Sequence, residues 1–216
     1  MDGKDKLNMR PIIGMPLHTR VKGEKWPLFI NANYVKYLES AGARVALIPQ
    51  YLPDETLQKL FSCLSGLFLP GGRSEFGDSA FMRQSKFFYD LALKANDAGD
   101  FFPIWGTCHG LEVLMIITAG EHVLEDCTAK NVSLPLLLTD DAKESNLFRD
   151  TPASVMNTLT KTDVTYNNHR FCITYDRYLD NEKMRDFYRV LSVNDDSAGT
   201  RFVSTIEGKS SFFFFK

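Results

Sequence analysis

Phe101 to Gly120 reads FFPIWGTCHGLEVLMIITAG. Its first five residues, Phe101 to Trp105, form an apolar, aromatic run suited to a fully buried strand, and Leu111 to Ala119 is an apolar run suited to a buried helix. Between them stands Gly106-Thr107-Cys108-His109-Gly110, a glycine two before and a glycine two after a cysteine. A sharp strand-to-helix reversal crowds the neighbours of its central residue, and glycines at those two places let the backbone close. The pattern is a nucleophile elbow with cysteine where serine is commoner. Cys108 is the candidate nucleophile. The helix N-terminus beneath it is expected to favour thiolate, and the His109 N–H is expected to face a developing oxyanion.

Upstream, strand and helix signals alternate. Ile12 to Met15 reads as a short buried strand. Ile30, Tyr34, Tyr37, Leu38 and Ala41 share a helical face that Gly42 ends, and Arg44 to Pro49 reads as a second strand. Asp54 suits the N-cap of a helix that turns Leu57, Leu60, Phe61 and Leu64 inward, ahead of a third strand, Gly66 to Leu69. Phe81 to Ala98 reads as a helix stopped by Gly99, so the cysteine strand is the fourth. Strands separated by helices, joined by right-handed crossovers, predict an α/β fold with a doubly wound, mostly parallel sheet and helices on both faces. Ligands bind at the carboxyl ends of such strands. There Pro70-Gly71-Gly72 follows the third strand, and its glycines permit the close approach that the second half of an oxyanion hole needs, though an ordinary turn would use the same residues. His18, in the loop after the first strand, reads as solvated.

Past Gly120 the periodicity breaks up. Short antiparallel strands are expected from Glu121 to Pro152, and Asp163 to Tyr175 reads as strand-like around Asn167-Asn168-His169. Asp180 to Asp186 reads as a short helix capped by Asp180. Phe187 to Val193 and Arg201 to Ile206 read as strands joined by a turn at 195–199. The domain reading is a polar tail at 1–10, a single domain at 11–208 and an atypical tail at 209–216, whose Phe212 to Phe215 run has no periodicity.

The 216 residues suit one domain with a sizeable core, and the net charge of −2 without a basic stripe does not suggest nucleic acid. Cys63, Cys127 and Cys172 read as structural. Neither they nor the four histidines show metal-ligand spacing, so no metal or cofactor is expected. The opening MDGKDKLNMR has no apolar core of a secretory signal, and no run is long enough to span a bilayer.

Pro11 to Gly14 (PIIG), Tyr34 to Val45 (YVKYLESAGARV), Leu67 to Gly72 (LFLPGG), Trp105 to Leu114 (WGTCHGLEVL) and Phe202 to Gly208 (FVSTIEG) resemble γ-glutamyl hydrolase. That family belongs to the class I glutamine-amidotransferase-like superfamily of flavodoxin-like folds, and the resemblance covers nearly the whole chain after residue 10. It implies an omega peptidase that cuts γ-glutamyl bonds of folate or antifolate poly-γ-glutamates through a Cys108 thioester. It implies an oxyanion hole at Gly71, Gly72 and His109, and Glu112, His169 and Phe29 at the substrate site. Phe29 stands where the family has a tyrosine. Glu112 would equally complement the helix N-terminus, and His169 would equally serve as an edge-strand histidine bonded to backbone. The resemblance also implies a homodimer and a lysosomal, vacuolar or secreted location, against a cytosolic one if the chain is read as complete.

The family's general-base histidine lies on a W-H-P-E segment shortly after the STxEG motif. Here KSSFFFFK follows Gly208, so the base is read as absent from this chain and the fold as incomplete at that end. An open sheet edge and low solubility are expected from it. The alternative function is therefore a chain that binds ligand without turnover or is unstable. A glutamine amidotransferase is a weaker reading on the same fold.

Overall fold

The computed structural model describes residues 9–19, 28–209 and 213–215. In its first half β1 (Ile12–Pro16) leads to the short pair β2 (His18–Thr19) and β3 (Leu28–Phe29), then to α1 (Ala32–Ser40), β4 (Arg44–Ile48) and α2 (Asp54–Phe61). β5 (Gly66–Leu69), α3 (Ala80–Asp97), β6 (Ile104–Gly106) and α4 (His109–Ala119) complete the alternation. The second half holds β7 (Glu125–Leu134), β8 (Leu137–Leu138), α5 (Ala153–Lys161) and β9 (Thr165–Cys172). After them come α6 (Tyr175–Asp180), α7 (Glu182–Phe187), β10 (Tyr188–Asp195), β11 (Arg201–Gly208) and β12 (Phe213–Phe215).

The main sheet has eight strands in the order β4-β1-β5-β6-β12-β11-β10-β8. β4, β1, β5, β6 and β12 are mutually parallel, and β11, β10 and β8 continue the sheet antiparallel. The chain passes from β1 to β4 on one side and returns to β5 on the other. The carboxyl ends of β1 and β5 therefore flank the switch point where such sheets open a crevice.

Alternation along β5 shows how the layers form. Leu67 and Leu69 join the large core made with Leu57, Phe81, Phe88, Val113 and Leu114, while Phe68 meets the rings of Tyr34 and Tyr37 of α1 on the opposite face. Tyr37 is half exposed, so α1 covers its face of the sheet more thinly than its apolar spacing suggests.

Several boundaries differ from the sequence reading for local reasons. α2 is preceded by Pro53 as its N-cap, with Asp54 and Glu55 inside the first turn where acidic side chains meet the free N–H groups. α7 is capped by the Asn181 side chain, which accepts from Met184 N at 3.0 Å, and not by Asp180. β6 starts only at Ile104, because the Asn96 amide takes both backbone groups of Phe102 at 2.8 and 3.0 Å. α5 and α6 were not foreseen, and β7 with β9 forms a separate two-stranded arm.

The largest correction concerns the phenylalanine tail. Phe213 to Phe215 is the central strand β12, parallel to β6 through Phe213↔Ile104, Phe214↔Trp105 and Phe215↔Gly106, and antiparallel to β11. Both long edges of β12 are paired, so the open edge expected after Gly208 is filled by the segment read as a tail. That placement follows from the strands on either side of the segment, β6 and β11, and not from any local period. Residues 1–8 of the N-terminal tail, 20–27 of the loop after β1, and 210–212 and 216 at the other end lie outside the described residues. Among the described residues no helix is long and apolar enough to cross a membrane.

The antiparallel half is pinned by Glu207 of β11, which is fully buried. Its carboxylate pairs with the Arg189 guanidinium and accepts from Asn146 N at 3.1 Å and Leu147 N at 2.9 Å. The substitution Glu207→Ala would strand that cation and two backbone donors, so a loss of about 3 kcal/mol is expected by urea unfolding. A loss below about 1 kcal/mol would mean that water already serves these groups.

Candidate active site

Cys108 sits between β6 and α4 with φ 54° and ψ −115°, a backbone conformation that a side chain rarely adopts. The surrounding packing enforces it. Thr107 N donates to Leu69 O at 3.0 Å, tying the turn to the end of β5, while Gly110 N returns to Thr107 O at 2.9 Å and Glu112 N to Cys108 O at 3.1 Å. The glycines are required by contact. A Cβ on Gly110 would lie 2.0 Å from Leu69 O, and one on Gly106 would lie 2.8 Å from the Gly110 backbone. Both glycines of the elbow motif thus allow α4 to start directly against β5.

Around the sulfur, elements far apart in sequence converge. His169 of β9, 61 residues away, brings Nδ1 to 3.9 Å from Cys108 Sγ. Gly71, after β5, is so close that a Cβ there would stand 3.1 Å from Cys108 Cβ and 2.1 Å from Tyr34 Oη. Glu112 lies one turn along α4, its Oε2 3.4 Å from His109 Nδ1. His109 is buried against Phe76, ring centroids 4.7 Å apart, and its Nε2 has no hydrogen-bond partner among the described residues. Phe29 is set one ring further back, 5.8 Å from His18.

The electrostatics reverse one expectation. The His109 N–H does favour a negative sulfur, but burial, with the Glu112 charge second, outweighs it and pushes the Cys108 thiol up to about 11. Burial therefore favours the thiol over the thiolate here. Burial also lowers the His169 imidazole from 6.5, against the opposing pull of Glu112. A neutral imidazole beside a protonated thiol is the charge state that general-base activation starts from.

Two groups at this edge were missed by sequence reasoning. Tyr34, assigned to an apolar helix face, places its hydroxyl beside Gly71 and Cys108, and burial and the neighbouring sulfur raise it above the usual phenol range. His18, read as solvated, is fully buried: Nδ1 is 2.8 Å from Ser74 Oγ and the ring stacks on Phe81 at 4.2 Å. Nothing in the local spacing marks either residue, since their partners come from other strands. Among the described residues no group of three or more His, Cys, Asp or Glu could hold a metal ion.

Sheet order, elbow and glycine-lined carboxyl edge define a doubly wound α/β fold. The glutaminase domain of Trypanosoma brucei CTPS with bound acivicin shares it, with a TM-score of 0.60 at 15% identity over 95% of this chain and 84% of that one. PurLQS from Thermotoga maritima does so at a TM-score of 0.52 and 16% identity, over 95% and 85%. Within this fold the sequence is more specific, because the Peptidase C26 profile matches residues 11–174, and the chain belongs to that family. Rat gamma-glutamyl hydrolase is 39% identical over 94% of this chain and 65% of its own length. The human enzyme of that name is 35% identical over 92% and 63%, and Dictyostelium discoideum gamma-glutamyl hydrolase B 36% over 94% and 60%. The chain thus spans slightly less than two-thirds of these relatives.

Two outcomes test this geometry. Gly110→Ala drives a methyl into a backbone carbonyl that cannot move aside, and a stability loss of about 4 kcal/mol or more is expected in urea unfolding. Iodoacetamide labelling of Cys108, followed by peptide mass spectrometry, is expected to lag that of the exposed Cys63 at neutral pH and to keep rising well above pH 9. A Cys108 labelling midpoint at or below about 8.5 would mean that the helix N-terminus outweighs burial.

Proposed function

We propose that this chain carries the hydrolytic machinery of a γ-glutamyl hydrolase, a cysteine-type omega peptidase acting on folate or antifolate poly-γ-glutamates. The observation that carries the reading is the approach of His169 Nδ1 to 3.9 Å from a cysteine held at a strained elbow. Family membership and the gamma-glutamyl hydrolase names of the relatives support cleavage of γ-glutamyl bonds.

In this reading His169 takes the thiol proton on Nδ1, which requires the tautomer with hydrogen on Nε2. The sulfur attacks the γ-carbonyl carbon. Negative charge gathers on the carbonyl oxygen, where the N–H of His109 and the Gly71-Gly72 segment stabilise it. Collapse breaks the C–N bond, the departing amine takes the proton from His169, and a thioester remains on Cys108. Water, deprotonated by the same imidazole, then attacks the thioester and releases the γ-carboxylate and the thiol. The carboxylate of Glu112 favours the imidazolium that forms twice in the cycle. The separation of 3.9 Å is long for proton transfer and must shorten as substrate closes the site. Tyr34 would flank the glutamyl chain, with Phe29 next to His18. No cofactor enters the cycle, and lysosome, vacuole or extracellular space is the compartment the family resemblance supports, with a homodimer as the assembly.

The test is turnover of a folate pentaglutamate by the 216-residue chain. Cys108→Ala is expected to abolish it and His169→Asn to lower kcat by about 100-fold or more. Because burial holds His169 neutral, activity should climb with pH through a midpoint below 6.5 and not above it. Turnover that survives Cys108→Ala would overturn the reading. Ligand binding without turnover until a W-H-P-E segment is appended after Lys216 would favour the binding-only alternative for the chain as it stands.

A further inference from the structure

The Gly71-Gly72 segment rests on a residue that the family motifs do not include. His18 is entirely buried beneath it, its ring flat on Phe81 with an interplanar angle of 18°. A Cβ on Gly72 would fall 2.3 Å from His18 Nε2 and 2.4 Å from Cε1, so the ring lies directly against the Gly72 backbone. On the other side the same segment meets Tyr34 and Cys108. His18 also bonds to the segment at its root, with Nε2 3.3 Å from Pro70 O.

The partners set the tautomer. A carbonyl oxygen can only accept, so Nε2 carries the hydrogen, and Nδ1 is left to accept from the Ser74 hydroxyl at 2.8 Å. Burial, with His109 second, pulls the ring down to about 4, which keeps this donor and acceptor pattern in place across the working pH range. His18 and Phe29 also pair across β2 and β3, with their rings 5.8 Å apart.

We propose that His18 is a positioning residue for the hydrolysis: its ring supports Gly72, and its Nε2–H holds the Pro70 carbonyl, so that the following peptide N–H groups face the Cys108 oxyanion. This rests on the reading of Gly71 and Gly72 as oxyanion donors. A support for developing negative charge differs from general packing in what it changes. It acts on acyl transfer, where an oxyanion forms, and leaves alkylation of the same sulfur alone, where none does.

In His18→Ala, kcat on a folate pentaglutamate is expected to fall about 100-fold with KM moving less than about threefold and iodoacetamide labelling of Cys108 within about twofold of wild type. His18→Gln keeps an N–H donor for the Pro70 carbonyl and should recover about tenfold of that loss. If His18→Ala does not fold, His18→Phe keeps a flat ring on Phe81 without the donor, and the same selective loss of kcat is expected. Unchanged kcat, or an equal fall in turnover and labelling, would overturn the proposal, as would a glutamine variant no better than alanine. The support itself has a test that needs no turnover. Gly72→Ala collides with the ring in the wild type but has room once the ring is gone, so the melting-temperature loss of G72A/H18A should be smaller than the sum of the single losses. A wild-type chain without activity would overturn the hydrolase reading, and additive melting losses would independently overturn the support by His18.

Discussion

The hydrogen bond from Thr107 N to Leu69 O, with Gly110 packed on the same carbonyl, joins the end of β5 to the first turn of α4. Everything at the carboxyl edge depends on it. With no Cβ at Gly110, the helix starts about one atom's width from the neighbouring strand, and Cys108 is forced into its positive φ above the sheet. The same closeness brings the Gly71 segment, which continues β5, to the side of the cysteine. Cys108 and Gly71 are therefore brought together by one backbone contact between the end of β5 and α4.

Charge at the site is decided by competition. A helix N-terminus and one N–H donor favour thiolate, but their combined effect amounts to about 1 to 2 kcal/mol in a partly buried setting. Burial of the sulfur and a carboxylate one turn away oppose it and prevail. The arm made by β7 and β9 then matters locally as well as architecturally, because it carries His169 to 3.9 Å from the sulfur.

Much of this was legible in the one-dimensional pattern. The β/α alternation up to Gly120 and the elbow at Gly106 to Gly110 are local: strand, glycine spacing and helix lie within one stretch, so propensity and sterics suffice. Gly71 and Gly72 were legible for the same reason, as glycines directly after a buried strand. His18 and Tyr34 were not, because one looks like a loop polar residue and the other like a helix-face aromatic until β1, β5 and α1 are brought together. The phenylalanine run was opaque in the same way, since its meaning lies in the two strands on either side of it.

By itself, then, the order of residues determined a doubly wound α/β fold and a cysteine on a strained turn, because those follow from contacts a few residues apart. Only the tertiary structure decided that His169 meets the sulfur, that Phe213 to Phe215 fills the middle of the sheet, that His18 lies beneath the glycine pair and that burial pushes the thiol upward. Each of these depends on burial or on a partner tens of residues away, and neither is encoded in local spacing. Desolvation in particular is a property of the assembled site, so a helix N-terminus read from local spacing does not carry the upward pull of burial on the thiol.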